Sequence, residues 1–344
     1  MDKKVVFAVA GSGKTTSIIE RLDLNRRFLI VTFTHANYDN LVAKIVVKFG
    51  WLPENISVTT YFSFLYGFCV RPILGMRMDE RGIDYRRPGT HARRFNMRQD
   101  GYFMAPGNRL YSNRLAKLLK ERDVLEDVNV RLAKYYDVLC VDEVQDIAGH
   151  DFDLLMSLCA ANTDIYLVGD FHQHTYDTSL DGPTNKRLHS DYEAYKKRFA
   201  KAGLVVDTEM LAVSRRCAPD ICAFINDHLK IAIGSSAESA GSVVDVATQA
   251  HADELFARGD VVKLFEREHY RYGCHSQNWG ASKGEDSHHD VCVVLHGDAS
   301  KARADGKWDA LPARTLNKLY VACSRARGNL YLAPAKFFKD RKGA

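Results

Sequence analysis

The chain has 344 residues, 46% of them apolar and 26% charged, with a formal charge of +5. That apolar share excludes a disordered chain, and the length fits two to three domains rather than one. Its eight cysteines form no Cys-x-x-Cys pair, which argues for a reducing compartment, and no run approaches the ~18 apolar residues of a membrane span.

The first element is read in "KKVVFAVAGSGKTTSIIERL". Val5 to Val9 predicts a short buried strand, too short for the apolar core of a signal peptide. Gly11, Ser12 and Gly13 break it, and Thr15 to Leu22 resumes with helical spacing. Strand, glycine-rich turn, helix is the setting of a phosphate-binding loop, and Ala8-x-x-x-x-Gly13-Lys14-Thr15 is a Walker A pattern with Ala in first position. The glycines let backbone N–H groups turn toward phosphate oxygens. Ala8, Ala10, Gly11, Ser12, Gly13, Lys14, Thr15 and Thr16 are therefore the candidate nucleotide-binding residues. Lys14 supplies a point charge for the β- and γ-phosphates, and Thr15 a hydroxyl for Mg²⁺.

Next come two strand patterns, in "FLIVTFTHANYDNL" (28–41) and "VTTYFSFLYGF" (58–68). Between Arg71 and Lys134 lie 15 Lys/Arg against 8 Asp/Glu, so the basic excess of the chain is concentrated there. Tyr85, Phe95, Tyr102, Phe103 and Tyr111 interleave with it. Basic residues steer phosphates and aromatics stack bases, so a polyanionic partner is expected at this segment. The strand in "YYDVLCVDEVQDI" then ends at Asp142, placed to hold a metal ion. Glu143 follows, placed to orient and deprotonate a water.

Gln145 and Asp146 complete Asp-Glu-x-Gln-Asp. With the Walker A pattern upstream, the chain here resembles the superfamily 1 helicases, and within them the UvrD/Rep-like group. The resemblance recurs in the family's order over about residues 5 to 332. "FLIVTFTHANYDNL" is similar to motif Ia, which in the family contacts the backbone of single-stranded DNA, here through Thr34 and His35. "VTTYFSFLYGF" resembles motif Ib, with Thr60 and Tyr61 in its Thr-Phe positions. "IYLVGDFHQHTY" resembles motif III, with Gln173 as the γ-phosphate sensor. "LAVSRRCAPDICAFIN" resembles motif IV, with Arg216 at its arginine and Arg215 at the tyrosine that stacks on the base. "NWGASKGEDSHHDVCVVL" resembles motif V, where Glu285, rather than Asp286, is assigned to the ribose. "LNKLYVACSRARGNLYL" resembles motif VI, with Arg325 at its γ-phosphate arginine.

The resemblance implies an α/β fold of two RecA-like P-loop NTPase domains with parallel sheets, plus a small, mainly helical insertion in the first. Residues 1–70 and 131–205 would form the first motor domain, 71–130 the basic insertion, and 206–344 the second motor domain. ATP and Mg²⁺ would bind in the cleft between the motor domains. It implies an ATP-dependent DNA helicase or translocase on single-stranded DNA, of 3′-to-5′ polarity, in the cytoplasm or a host's cytoplasm. The catalytic roles fall to Glu143, Gln173, Arg216 and Arg325. The chain departs from the family in lacking a glutamine before the P-loop to read adenine. It also lacks the large insertion of the second motor domain, which leaves room for a protein partner in loading or unwinding. A nucleic-acid-stimulated ATPase that remodels without unwinding, or acts on RNA, is the alternative; a P-loop nucleotide switch is the remote one.

Overall fold

The computed structural model describes residues 1–343 apart from 176, 177, 180 and 286. The chain divides into two compact units. The first gathers Met1–Val6, Lys14–Gly169 and Tyr176–Asp207, and the second Phe7–Gly13, Asp170–Thr175 and Thr208–Ala344. The chain thus passes from one unit to the other at the Gly13–Lys14 peptide bond, inside the Walker A pattern.

The first unit contains β1 (Lys3–Phe7, which runs one residue past it), β2 (Phe28–Thr32), β3 (Ile56–Thr60), β4 (Ile83–Asp84), β5 (Met104–Ala105), β6 (Arg109–Tyr111), β7 (Val138–Val141), β8 (Asp164–Gly169) and β9 (Val205–Asp207). Its main sheet has the order β3-β2-β7-β8-β1-β9. The β3–β2, β2–β7, β7–β8 and β1–β9 pairings are parallel. Every residue of β2 (FLIVT) and β7 (VLCV) is buried. Such unbroken apolar strands mark the middle of a parallel sheet covered on both faces. Helix His35–Phe49 follows β2. It starts where the Thr34 hydroxyl accepts from the Asn37 N–H and stops at Gly50 in the left-handed region.

The segment 71–130 carries helices Arg71–Met78 and Leu115–Glu121, and helix Leu125–Tyr135 runs out of its end. It also contains a small three-stranded sheet, β4-β6-β5, which the sequence reading did not include. Arg114 and Lys117 reach Asp181 at 3.2 and 3.1 Å, in surroundings where all three side chains are nearly buried. Part of the basic excess therefore holds the fold together.

The second unit contains β10 (Val213–Ser214), β11 (Gly234–Ser235), β12 (Val243–Asp245), β13 (Val262–Phe265), β14 (Ser276–Asn278), β15 (Val291–Leu295) and β16 (Leu330–Pro334). Its sheet has the order β12-β16-β15-β13-β14, and all pairings are parallel. Trp279, Trp308 and Leu319 fill the core against Val262 and Val293, and the Trp279 indole donates to the Leu264 carbonyl at 2.9 Å. Both units are thus α/β, each built on a parallel sheet. No helix among the described residues is long and apolar enough to cross a membrane.

One buried acid sits under the first sheet away from the Asp142–Glu143 pair. Asp151, in helix Gly149–Leu158, lines a small cavity with Tyr61, Phe64, Leu139 and Leu155. Burial pushes its carboxyl up to about 7, against the pull of the Thr178 and Tyr61 hydroxyls. Neither carboxyl oxygen makes a well-aligned hydrogen bond among the described residues. The folded chain thus keeps a proton that the unfolded chain releases near 3.8. Between about pH 4 and pH 7 the native state binds more protons, so this group's contribution to stability is full at low pH and is lost as pH rises. Asp151→Asn should flatten that dependence and make the variant more stable than wild type at pH 8, read by urea denaturation at pH 5 and 8. Identical pH slopes in the two proteins would show that Asp151 ionises freely.

Candidate functional site

Six residues, Ala8 to Gly13, connect β1 to helix Lys14–Arg21. Gly11 and Gly13 have φ of 70° and 95°, the left-handed region that a side chain disfavours. Space also demands glycine at 11, because a Cβ there would lie 2.6 Å from the Arg216 Cβ. The Ser12 hydroxyl turns inward and donates to the Val9 carbonyl at 2.8 Å, so it tightens the loop. The helix carries no acid in its first turn, which leaves its positive end open to an anion where Lys14, Thr15 and Thr16 begin it.

The acids at the end of β7 lie in the same unit as Lys14 and Thr15. The Thr15 hydroxyl donates to Asp142 Oδ2 at 3.3 Å, and the Glu143 N–H donates to Asp142 Oδ1 at 2.9 Å. Glu143 itself stands in the left-handed region (φ 59°, ψ 44°), which costs a non-glycine residue about 1 kcal/mol or more. Its carboxylate accepts from Gln145 Nε2 at 2.6 Å, and Gln145 is fully buried. Gly169 makes room for this arrangement: a Cβ there would sit 2.4 Å from Gln145 Oε1. Burial raises the Asp142 carboxyl to about 7 and the neighbouring Glu143 adds to the rise, while Lys14, the Glu143 N–H and the Thr15 hydroxyl oppose it. Two adjacent buried acids, one bonded to a threonine hydroxyl, form an oxygen donor set of the kind a hard divalent cation takes. Thr15 and Asp142 are the residues that would hold Mg²⁺.

The second unit brings together residues from five of the sequence motifs. The Tyr320 hydroxyl accepts from the Ala10 N–H at 2.9 Å and donates to Asp170 Oδ2 at 2.9 Å. Burial pushes this phenol well above its usual range, so it stays a donor. The Ala10 amide, expected from the sequence to face phosphate, is therefore already engaged by a side chain. Asp170 also caps the turn Phe171–Gln173 by accepting from the His172 N–H. Gln173 is buried, and its Nε2 has no hydrogen-bond partner among the described residues. A buried donor of this kind is costly unless something completes it.

Both candidate arginines converge on the end of helix Ala313–Cys323. Arg216 Nη1 donates to the Ser324 carbonyl at 3.0 Å. Arg325 is 2% exposed and donates through Nε to the Val321 carbonyl at 3.0 Å and through Nη1 to the Glu285 carbonyl at 3.2 Å. The Arg215 N–H donates to the Gly11 carbonyl at 3.0 Å, and its side chain is exposed. The Glu285 carboxylate meets His288 Nε2 at 2.9 Å. Residue 286, the other acid considered for the ribose, lies outside the described residues. Sequence reasoning missed Tyr320 and Asp170. The only signal was a tyrosine within the apolar run "LYVAC", which reads equally as core.

The nucleic-acid candidates divide. Thr34 and His35 are exposed and Thr60 is half-buried, its hydroxyl donating to Ser63 Oγ at 2.9 Å. Tyr61 corrects the expectation: it is only 5% exposed and its hydroxyl faces Asp151, so its ring is not on the surface. The aromatic that reaches outward here is its neighbour Phe62.

Comparison with known proteins gives a family and a fold. The family model described as AAA domain (AAA_19) matches residues 2–179, more than half of the chain. Among solved structures, arterivirus nonstructural protein 10 (helicase) in complex with DNA aligns with a TM-score of 0.52 and 15% identity, over 98% of this chain and 63% of that one. A crystal structure of the same arterivirus helicase gives 0.50 and 14%, over 98% and 62%. The chain thus spans less than two thirds of that helicase's length. The likeness is one of fold, two RecA-like parallel sheets. No curated protein matches.

Tyr320→Phe removes one hydroxyl and both of its hydrogen bonds without changing the ring that packs in the core. The variant should lose about 1–3 kcal/mol of unfolding free energy in chemical denaturation, the usual cost of disrupting buried hydrogen bonds. An unchanged denaturation midpoint would mean that the bridge from Ala10 to Asp170 carries no stability.

Proposed function

The chain belongs to the AAA domain family, and from that premise we propose that it is an ATP-driven motor on single-stranded nucleic acid, a helicase or translocase of the UvrD/Rep type. The observation that carries this reading is the Thr15–Asp142 hydrogen bond beside a Glu143 whose backbone stands in a strained conformation and whose carboxylate is fixed by Gln145. Backbone strain concentrates at functional sites, and a carboxylate fixed in this way is positioned for one task. The solved arterivirus helicase carries DNA, which supports a nucleic-acid track for a chain of this fold.

In this reading Lys14 places its charge on the leaving phosphates, and Thr15 with Asp142 would hold Mg²⁺. When bound, the metal would neutralise charge on the phosphates. Glu143 orients the attacking water and takes its proton, while Gln145 fixes the carboxylate that does so. Gln173, with its buried amide donors, senses the γ-phosphoryl group. Arg216 and Arg325 stabilise the charge that develops on that group in the transition state. The Arg215 guanidinium stacks on the base and Glu285 contacts the ribose. Thr34, His35 and Thr60 contact the strand backbone, and 71–130 serves as a DNA-facing accessory segment.

Glu143→Gln should lower ATP turnover at least 10²-fold while leaving nucleotide binding intact, the range for losing a general base. Arg325→Ala should lower it by about 10³ to 10⁵, with binding again kept, as for an arginine finger. Turnover by wild type should rise strongly with single-stranded DNA, and a parallel arm with RNA decides the preferred strand. A steady-state ATPase assay with each strand, beside a binding titration with a fluorescent nucleotide, reads all of these. If Glu143→Gln turns over ATP as fast as wild type, the base assignment fails. Direction of travel, expected to be 3′ to 5′, is read from which labelled end of a strand the motor clears.

A further inference from the structure

The most informative surface outside the nucleotide site lies where the insertion meets the motif Ia and Ib loops, entirely within the first unit. Three aromatic rings form a chain there. Phe33 and Phe62 have centroids 6.1 Å apart at 64°, and Phe62 and Tyr85 have centroids 5.7 Å apart at 88°. Phe33 and Phe62 are half-buried, but Tyr85 is 68% exposed, an uncommon place for a large ring. The edge-to-face contact ties Tyr85 to Phe62 and leaves ring surface open to a further planar group.

Next to Tyr85 the positive charge is fixed in place. Asp84, nearly buried, accepts from the Arg86 backbone N–H at 2.9 Å, from Nε at 3.0 Å and from Nη2 at 2.7 Å. The Arg86 side chain nevertheless remains 82% exposed. The pair therefore holds a guanidinium rigidly outward, so little rotamer entropy remains to be lost when it meets a ligand. Arg87 is also exposed and has no hydrogen bond or ion pair among the described residues. Arg86 chiefly holds the Asp84 carboxyl below its usual range, and Arg109 on the adjacent strand adds to the effect. Two acids of this stretch are engaged: Asp84 by Arg86, and Glu80 by the Tyr66 hydroxyl.

We propose that Phe62, Tyr85 and Arg86 form a base-stacking platform that carries single-stranded nucleic acid from the motif loops onto the insertion. This deepens the nucleic-acid reading of the proposed function and rests on it. An exposed ring, a rigid exposed guanidinium and a free arginine on consecutive residues match what a sequence-tolerant single-strand site needs. Stacking takes any base face, and the charges take the backbone. A folded-protein partner would favour an apolar patch rimmed by polar groups, whereas here the aromatic stands among arginines.

The test measures binding of fluorescein-labelled oligo-dT and of an abasic strand of equal length by anisotropy, for wild type, Tyr85→Ala, Tyr85→Phe and Arg86→Ala. Wild type should prefer the strand with bases. Tyr85→Ala should weaken oligo-dT binding by roughly 5- to 100-fold, the range for losing one stacked base, and shrink the preference over the abasic strand. Tyr85→Phe should keep both, which excludes a general loss of folding. Arg86→Ala should weaken both strands alike and lower the salt slope by about one. If wild type prefers bases and Tyr85→Ala keeps the whole preference, the platform is wrong while the motor reading survives. If wild type binds neither strand, both readings fall.

Discussion

Two neighbouring carboxylates in a place nearly without water set the terms for the first unit. Asp142 is 4% and Glu143 8% exposed. Burying a charge costs several kcal/mol unless partners compensate it. The compensation is assembled from distant parts of the chain. Lys14 and Thr15 come from the start of helix Lys14–Arg21, and Gln145 from the turn after β7. Gly169 ends β8 without a side chain, so that Gln145 fits. Asp142 still retains a raised proton affinity, so the compensation is incomplete.

The second unit solves a different problem, which is to keep a glycine-rich loop in one shape. The loop's own bonds are few: Ser12 back to Val9, in side chain and backbone. The remaining constraints come from far along the chain. The Val9 N–H donates to Leu211, the Gly11 carbonyl accepts from Arg215, and the Ala10 N–H donates to the Tyr320 hydroxyl. Tyr320 passes the constraint to Asp170, which also holds the turn that carries Gln173. A shift of the loop therefore acts on Arg215, Asp170 and helix Ala313–Cys323 together. Hydrogen bonds are stronger in such a buried setting than in water.

Much of this was legible in the sequence because local pattern and global place agree. The run "VLCV" reads as a buried strand and is one. The Walker A strand and helix fall within two residues of their expected ends. What escaped depended on distance or on a rotation. Tyr61 and Phe62 are adjacent aromatics after β3, and only the start of a helical turn decides which points inward. One residue is about 100° of helix, so the sequence carries no preference between them. Tyr320 finds its partners 310 and 150 residues away, which no window reveals. The insertion's strands are two or three residues long, too short for an alternating pattern to show.

The insertion also shows why a charge count alone is a weak guide to a partner. Arg114 and Lys117 answer Asp181 inside the protein, and Arg122 answers Asp100 on a half-exposed flank. These charges are part of the fold and offer little to a polyanion. Arg86 is ion-paired as well, yet its pairing serves presentation, because the carboxylate is buried and the guanidinium is not. The useful distinction is therefore between arginines whose partner draws them in and arginines whose partner holds them out. Arg86, of the second kind, is the sequence neighbour of an exposed aromatic, Tyr85. Composition locates the segment, and the direction in which each ion pair faces locates the surface within it.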